Sequence, residues 1–376
     1  MAQGLEVIEV DSPSRLKDFI MLPYRLYKNQ PHWVPPLIME RKAFFNKDKN
    51  PFYRGAKTKL FLAVKDREVI GRIGTCVNFN HNEYHQEKTG FFGFFECIDD
   101  FEAASMLFKV AMITLKAEGM DKMRGPTNFS TNHEIGFLIE GFDLPPTVMN
   151  PYNEPYLPKL AEKFGLKKVM DLHGYLISKE VPISERQVAL VNKIRERHKV
   201  EIRSVNMSKF DEEVKLINGI YNQAWSRNWG FVPMPEDEFE YMARDLKQIV
   251  DPDMALIAFV GGEPAGFSLA VPDINQVLIK MKGRLFPFGI FTLLWNTKIR
   301  YNINGVRMLT MGVVAKFQKR GIDNIFYVDT YLKGVAKGYD WAELSWILET
   351  NELMCRAAAN MSGKLYKKYR LVEMPI

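Results

Sequence analysis

A basic loop between an apolar run and an amphipathic stretch has the composition of an anion-binding site. It covers residues 313–323 and contains Gly321 together with the cations Lys319 and Arg320. Successive backbone N–H groups at a tight turn that opens a helix form an anion-binding nest, and the helix dipole adds partial positive charge there. The same residues would also suit a basic turn that merely starts a helix. The pattern therefore leaves these two interpretations equally open.

A second polar segment lies in the first half of the chain, from Asn128 to Glu134. Glu134 or His133 could act as the base that takes a proton from a substrate amine. An Asn-rich turn that caps local structure explains the same residues and is favoured for either residue alone. His81 and His85 have i, i+4 spacing but flank a turn-like Asn-Glu-Tyr, so no metal site is predicted.

The elements that must position these residues occur twice in the chain. Three anchors recur at an offset of 198 residues: Asn153-Glu154 with Asn351-Glu352, Gly165 with Gly363, and Trp33-Val34-Pro35 with Phe231-Val232-Pro233. A period near 200 residues indicates duplicated domains rather than a solenoid. We therefore predict two domains, residues 1–185 and 190–376, joined by the charged stretch 179–197.

Each half shows the same series of periodicities. An opening strand precedes an amphipathic helix (12–27 and 208–225), and a hairpin, a strand and a second helix follow. A strand, a short helix and a closing strand complete each half. This mixture predicts an α/β (α+β) fold, with a mixed central sheet flanked by helices in each domain.

The loop at 313–323 resembles the signature loop of the GNAT N-acetyltransferase superfamily. The family pattern Val-x-Pro-x-Tyr-Gln-x-Arg/Lys-Gly-Ile-Gly is met at Val313, Phe317, Gln318, Arg320, Gly321 and Ile322, whereas Ala315 replaces the proline. Asn351-Glu352 and Gly363 are similar to the family's last helix and closing motif, and the first half has the same tail. The chain is identified as a tandem bacterial branch of the superfamily.

The resemblance implies that the second domain binds acetyl-CoA or another acyl-CoA as co-substrate. It assigns to this cofactor Val313, Ala315, Gln318, Lys319, Arg320, Gly321, Ile322 and Asn351. A backbone N–H on the preceding strand would polarise the thioester carbonyl, a contribution of about 3 kcal/mol, and a neutral amine would attack. An N-acyltransferase acting on a small-molecule or peptide amine is therefore expected.

Two departures from the family concern catalysis and the first domain. The family's tyrosine acid is replaced by Ala359 and Ala161, which leaves Tyr366 on the closing strand as either a catalytic or a packing residue. The loop of the first half, residues 95–100, has three carboxylates, no Gly and no basic residue. Because clustered carboxylates repel a pyrophosphate, the first domain is expected to be a degenerate copy without cofactor.

Composition limits the class of protein. The chain has a net charge of +6, 47% apolar and 26% charged residues and three separated cysteines, so a cytoplasmic globular protein without disulfides, nucleic acid or a membrane span is expected. An apolar insertion at 274–304 is interpreted as a buried helix, a homodimer surface or a channel for a long acyl chain, with burial of Phe291 and Trp295 as the default. Transfer from acyl carrier protein and a catalytically inactive acyl-CoA-binding module remain as alternatives.

Overall fold

A computed structural model describes residues 4–285, 289–295 and 302–376, and only the backbone of residues 292 and 294. The chain forms two compact units. The first contains Met1–Leu172, Val277–Thr292 and Lys367–Ile376, and the second contains His173–Gln276 and Leu293–Tyr366. Each unit therefore includes a segment from the other half of the sequence, which a simple division at one linker does not anticipate.

The first unit is a mixed sheet with helices. Its elements are β1 (Glu6–Glu9), α1 (Pro13–Leu26), α2 (Ile38–Phe44), β2 (Ala56–Lys65), β3 (Glu68–Asn78), α3 (Phe79–His85), β4 (Thr89–Cys97), α4 (Phe101–Ala117), β5 (Lys122–Gly125), β6 (Phe137–Glu140), α5 (Tyr156–Phe164) and the start of β7 (Lys167–Ser178). The strand order is β1-β2-β3-β4-β5, followed by the last strand of the chain, β13 (Lys364–Pro375), which also pairs with β6. β4 and β5 are parallel, whereas the pairs β1–β2, β2–β3, β3–β4, β5–β13 and β6–β13 are antiparallel.

The second unit repeats this series. It contains α6 (Glu185–His198), β8 (Val200–Ser204), α7 (Phe210–Ala224), α8 (Glu236–Leu246), β9 (Ala255–Val260), β10 (Glu263–Pro272), β11 (Gly305–Val313), α11 (Ile322–Ala336), β12 (Trp341–Leu348) and α12 (Glu352–Asn360). Two short helices, α9 (Asn275–Leu278) and α10 (Gly289–Leu294), lie between β10 and β11. The strand order is β7-β12-β11-β10-β9-β8, and β11 and β12 are parallel.

Local sequence signals explain where these elements begin and turn. The Ser12 side chain accepts a hydrogen bond from the Arg15 N–H, and Pro13 is the first residue of α1, as the capping pattern predicts. Gly261 and Gly262, both with positive φ, form the turn of the β9–β10 hairpin. The charged stretch expected as a linker contains α6, which Ser184 and Gln187 start with a capping box.

The two units have separate apolar cores. In the first, Phe108 of α4 packs with Phe92 and Met123 of the sheet. In the second, Ile325 and Phe326 of α11 pack with Phe267 of β10. In the part of the chain that the structure describes, every helix is too short or too polar to cross a bilayer. The α/β architecture and its mixed sheets agree with the prediction from sequence.

Candidate functional site

The two central parallel strands of the second unit separate part-way along their length. Their pairing ends at Met308 opposite Leu344, although β11 continues to Val313 and β12 to Leu348. On its other edge β11 stays paired with β10 as far as Val313. Beyond Met308, β11 therefore has a backbone edge that is not paired with β12. An extended group that contains amides could pair with this edge as an added strand.

The open strand leads into the basic loop and then into α11. The Gln318 side-chain amide donates to the Val313 carbonyl oxygen at 3.0 Å, and this bond closes the turn. Lys319 and Gly321 both have positive φ. Gly321 is the N-cap of α11 and makes no side-chain capping bond. The first turn of this 15-residue helix thus presents backbone N–H groups without a side-chain acceptor, an arrangement that suits an anion.

The charged side chains of this loop differ in their surroundings. Lys316 forms an ion pair with Glu263. The Arg320 guanidinium lies 5.0 Å from the centre of the buried Phe317 ring, in cation–π contact. Lys319 is exposed, and no ion pair is found for it among the described residues. Lys319 and Arg320 therefore remain available to neutralise a bound phosphate.

A buried polar network lies on the opposite face of the same two strands. Arg307 and Glu343 are neighbours in the β11–β12 register, and both side chains are fully buried. The hydroxyl groups of Ser345 and Tyr366 donate to the two oxygens of the Glu343 carboxylate. The Arg307 Nε donates to Ser345 Oγ at 3.0 Å, and its guanidinium lies 4.8 Å from the Trp346 ring centre.

This network has the chemistry of a proton relay. A carboxylate that is bonded to a tyrosine hydroxyl can take a proton from that hydroxyl while the tyrosine takes one from a substrate group. Tyr366, predicted as catalytic or packing, thus lies in a polar network of the second unit rather than in an apolar core.

In the first unit the corresponding strand opening is closed by the chain itself. β4 and β5 pair only as far as Phe91 opposite Arg124. Beyond that point the Thr127 N–H donates to the Phe92 carbonyl oxygen at 2.7 Å, and the Phe94 N–H donates to the Asn128 side chain at 2.8 Å. The edge of β4 therefore has partners, and no free edge comparable to that of β11 remains here.

The helix that follows β4 is also already capped. The Asp100 carboxylate accepts hydrogen bonds from the N–H groups of Glu102 and Ala103 at the start of α4. Lys65 lies 3.2 Å from Asp100. Burial raises the pKa of Asp100, but these bonds outweigh it and the pKa is lowered. The anion position at this helix is thus filled by a side chain.

The carboxylate of Glu96 in the same loop is paired as well. Arg72 lies 2.6 Å from it. Two of the three carboxylates that the sequence places in this loop therefore have cationic partners from β2 and β3. The loop is less repulsive than its own composition indicates, and its closure depends on hydrogen bonds more than on charge.

Glu134 lies in the first unit and is held by two partners. Arg41 is 3.2 Å from one oxygen, and the Asn128 amide donates to the other at 2.8 Å. Burial raises the pKa of Glu134, but Arg41 and Asn128 together lower it by more, so the pKa lies below its usual value. Burial also lowers the pKa of His133 to about 4. Glu134 is thus held in an ion pair in the first unit, and its role as a base stays a prediction.

Comparison with known proteins gives whole-length relatives. No protein-family model matches the chain. It is 36% identical to bacterial ceramide synthase of Caulobacter vibrioides, over 98% of this chain and 97% of that protein. It is 35% identical to protein YghO of Escherichia coli, over 96% of this chain and 93% of that protein. The chain belongs to the family of these two proteins.

Solved structures confirm the predicted fold. A tandem GNAT protein from the clavulanic acid biosynthesis pathway matches 99% of this chain and 98% of its own, with a TM-score of 0.56 and 9% identity. A GCN5-related N-acetyltransferase from Sphaerobacter thermophilus matches 99% and 95%, with a TM-score of 0.53 and 10% identity. The family of bacterial ceramide synthase and YghO thus has a tandem GNAT fold in this member.

Two residues assigned to the cofactor have local structural roles in this family member. The Asn351 side chain accepts a hydrogen bond from the Met354 N–H at 3.2 Å and is the N-cap of α12. A Cβ on Gly321 would lie 2.8 Å from the end of Ile194 on α6. The other assigned residues share one loop, and their contact with a cofactor stays a prediction.

The apolar insertion differs from its expected burial. It contains α9 and α10, as the prediction of a helix requires, but Phe291 is 67% exposed and Trp295 is 49% exposed. The expectation that protein covers these aromatic side chains is therefore wrong. Apolar composition makes burial the usual outcome, yet a helix of six residues offers few positions that can face a core. Phe286 and Phe288 lie outside the described residues.

A small apolar cavity of about 50 Å³ lies in the second unit beside the last paired residues of β11 and β12. Its walls include Val306, Met308, Tyr327, Thr330, Leu344 and Met361. The Thr330 hydroxyl has no hydrogen-bond partner among the described residues. The cavity is on the α11 face of the sheet, whereas Arg307, between Val306 and Met308, points to the other face.

Sequence reasoning missed Arg307, Glu343 and Ser345 as functional candidates. A signal was present, because a central parallel strand is usually a continuous apolar run. Arg307 interrupts β11, and Glu343 and Ser345 interrupt β12. A charged residue in each of two central strands indicates a buried pair, since an unpaired buried charge is too costly.

Proposed function

We propose that the protein is an N-acyltransferase that moves a fatty acyl group from acyl-CoA to the amino group of a long-chain, sphingoid-type base. The observation that carries this proposal is the contrast between the units. The second unit combines an open strand edge with an uncapped helix start, and the first unit closes both with its own residues. One donor site per chain follows.

The donor site follows the order of these features along the chain. The α11 N-terminus with Lys319 and Arg320 would bind the pyrophosphate of the donor. The edge of β11 between Met308 and Val313 would pair with the amides of its pantetheine arm. An N–H on that edge would then donate to the thioester oxygen, where negative charge develops during attack.

The acceptor and the acyl group are inferred from the relative. A ceramide is the amide of a fatty acid and a sphingoid base, and bacterial ceramide synthase is 36% identical over almost the whole chain. This relation favours a sphingoid-type amine as the acceptor and a long acyl group over acetyl.

The reaction forms one C–N bond and breaks one C–S bond. The neutral amine attacks the thioester carbonyl, the thiolate leaves, and the amine nitrogen gives up a proton. Glu343, with the hydroxyl groups of Tyr366 and Ser345, is the group proposed to accept that proton. A thiol has a pKa near about 8.5, so the thiolate can leave without a dedicated acid.

Mass spectrometry of products tests this function. The purified chain is incubated with a long-chain amine and with acetyl-CoA, palmitoyl-CoA or palmitoyl acyl carrier protein. An amide formed with palmitoyl-CoA, with little or none from acetyl-CoA, is the expected result. Amide formed only with palmitoyl acyl carrier protein would show that the carrier protein, and not acyl-CoA, is the donor. Binding of acyl-CoA without any amide would favour an inactive binding module.

Calorimetry tests the donor site separately. Lys319→Glu reverses a charge at the α11 N-terminus and should weaken acyl-CoA binding by at least about tenfold. Arg67→Glu is the matched control, because Arg67 is also an exposed cation with positive φ but lies in the first unit. Equal effects of the two changes, or two donor molecules per chain, would contradict the assignment.

A further inference from the structure

The segment of residues 274–304 concentrates positive charge. It contains no Asp or Glu, and its five cations are Lys280, Lys282, Arg284, Lys298 and Arg300. The whole chain has a net charge of only +6, so the remainder is almost neutral. An apolar run from Leu285 to Trp295 lies between the two groups of cations. We call the described residues of this stretch, 280–285 and 289–295, the basic aromatic segment.

Five side chains of this segment, three cations and two aromatic residues, are exposed to solvent. Lys280, Lys282 and Arg284 are exposed, and no ion pair is found for these three among the described residues. Phe291 and Trp295, four residues apart and therefore on one side of the helical turn, are 67% and 49% exposed. Gly289, at the start of α10, lies against the backbone of Arg284, since a Cβ there would be 2.2 Å from the Arg284 carbonyl oxygen. Exposed aromatic side chains that follow so closely on unneutralised cations mark an interaction surface.

The start of the segment is held firmly by the first unit. Val277, Leu278 and Met281 are buried, and the Gly283 carbonyl oxygen accepts a hydrogen bond from the Ile38 N–H at 2.9 Å. Gly283 has positive φ and lies so close to Tyr24 that a Cβ would be 2.5 Å from that ring. The exposure of the neighbouring cations is thus a consequence of ordered packing.

We propose that the basic aromatic segment docks on the surface of an anionic lipid bilayer. Phe291 and Trp295 would enter the boundary between headgroups and acyl chains, and the cations would contact lipid phosphates. Docking would bring the protein to the compartment where long-chain amines and fatty acyl groups dissolve. That purpose rests on the proposed function, whereas the docking itself does not.

Charge and hydrophobicity together favour a bilayer over other occupants. A second copy of the chain would place two strongly positive segments against each other, which is repulsive. An acidic carrier protein would match the cations, but it would not provide the hydrocarbon layer that two protruding aromatic side chains can enter. A bilayer with anionic headgroups satisfies both requirements.

Vesicle co-sedimentation of the full-length protein tests the proposal. Vesicles of phosphatidylcholine alone are compared with vesicles that contain one quarter phosphatidylglycerol, at low and high salt. Stronger binding to the anionic vesicles, weakened by salt, is expected. Phe291→Ser with Trp295→Ser should reduce binding at least tenfold, and neutralising Lys280, Lys282 and Arg284 with Gln should reduce it about fivefold for each cation.

Leu353→Ser is the matched control, because Leu353 is 77% exposed on α12 and should leave vesicle binding unchanged. Acyl transfer to a long-chain amine dissolved in neutral detergent is measured in parallel without vesicles, and the docking variants should retain it. Failure of transfer in all proteins with intact vesicle binding would refute only the proposed function. Membrane docking would be overturned if the protein with Phe291→Ser and Trp295→Ser still bound vesicles. It would also be overturned if the docking variants lost only acyl transfer from acyl carrier protein.

Discussion

At the scale of single residues, the Glu343 carboxylate has a hydroxyl donor on each oxygen. We expect Tyr366→Phe to lower kcat of acyl transfer by about a hundredfold, because proton transfer by a positioned group contributes about that much. KM for the donor should change little, since Tyr366 is not in the loop proposed to bind it. Steady-state kinetics with palmitoyl-CoA checks the split between kcat and KM.

The control for this change is Tyr84→Phe. Tyr84 is 41% exposed on α3 of the first unit, and its hydroxyl is not in the network. Glu343→Gln should resemble Tyr366→Phe if the pair acts as one relay, and combining the two should cost little more than either alone. Additive losses would instead indicate that Tyr366 and Glu343 act independently.

Glu238 on α8 gives a prediction on pH. Burial raises its pKa from 4.5 to about 7, so the folded protein binds this proton more tightly than the unfolded chain. The resulting cost is absent below about pH 4.5, grows as the pH rises to about 7, and is constant above that value. It amounts to about 3 kcal/mol, at about 1.4 kcal/mol for each pKa unit.

Glu238→Gln should therefore stabilise the protein by about 3 kcal/mol at pH 8 but by only about 1 kcal/mol at pH 5. Urea denaturation at both pH values measures the difference. Glu240→Gln, on the same helix and paired with Arg244 at 3.6 Å, is measured in parallel as the control for removing a carboxylate from α8. A constant difference between Glu238→Gln and the parent protein at the two pH values would exclude this titration.

At the scale of elements, two glycines should respond in opposite directions to alanine. Gly219 is inside α7, and a Cβ there would meet nothing within 4 Å. Gly219→Ala should stabilise the protein by about 0.5–1 kcal/mol, because Gly is a poor residue for a helix interior. Thermal denaturation of the full chain would show a higher Tm.

Gly165→Ala is the opposite case. Gly165 is the C-cap of α5 with φ of +116°, a conformation that side chains disfavour whatever the space around them. Its replacement should destabilise by about 1 kcal/mol. A similar shift of Tm for Gly219→Ala and Gly165→Ala, in sign as well as size, would show that backbone conformation is not what separates them.

Elements formed by neighbouring residues were predictable, and contacts between distant ones were not. The Ser12 cap and the Gly261-Gly262 turn are local, so the sequence sufficed for α1 and for the β9–β10 hairpin. The Arg307–Glu343 pair depends on a parallel register across a helical crossover. No short-range pattern specifies which residues of two such strands become neighbours.

Exposure of the insertion was unpredictable for another reason. Apolar residues are buried when a core can receive them, and sequence alone contains no measure of the room available. Phe291 and Trp295 have the same composition signal as core residues of α4 or α11, but they lie on or just after a six-residue helix and reach solvent.

At the scale of the molecule, the end of the sequence contributes to the stability of the first unit. Lys367–Ile376 belongs to the first unit although it ends the second repeat. Its pairing with β5, from Val372 opposite Gly125 to Pro375 opposite Lys122, could not be predicted. The apolar alternation of a strand identifies its buried face without identifying the sheet that it joins.

Val372 provides the test of whether the last strand belongs to the first unit. It is 1% exposed and packs in the core of the first unit, so Val372→Ala removes two methylene equivalents and leaves a cavity, at a cost of about 2 kcal/mol. Hydrogen exchange should then accelerate in β4 and β5 of the first unit, some 250 residues earlier in the chain. Leu365→Ala, on the same strand but 42% exposed, should leave exchange there unaltered. Faster hydrogen exchange confined to β11 and β12 after Val372→Ala would mean that the strand belongs to the second core. Its assignment to the first unit would then be wrong.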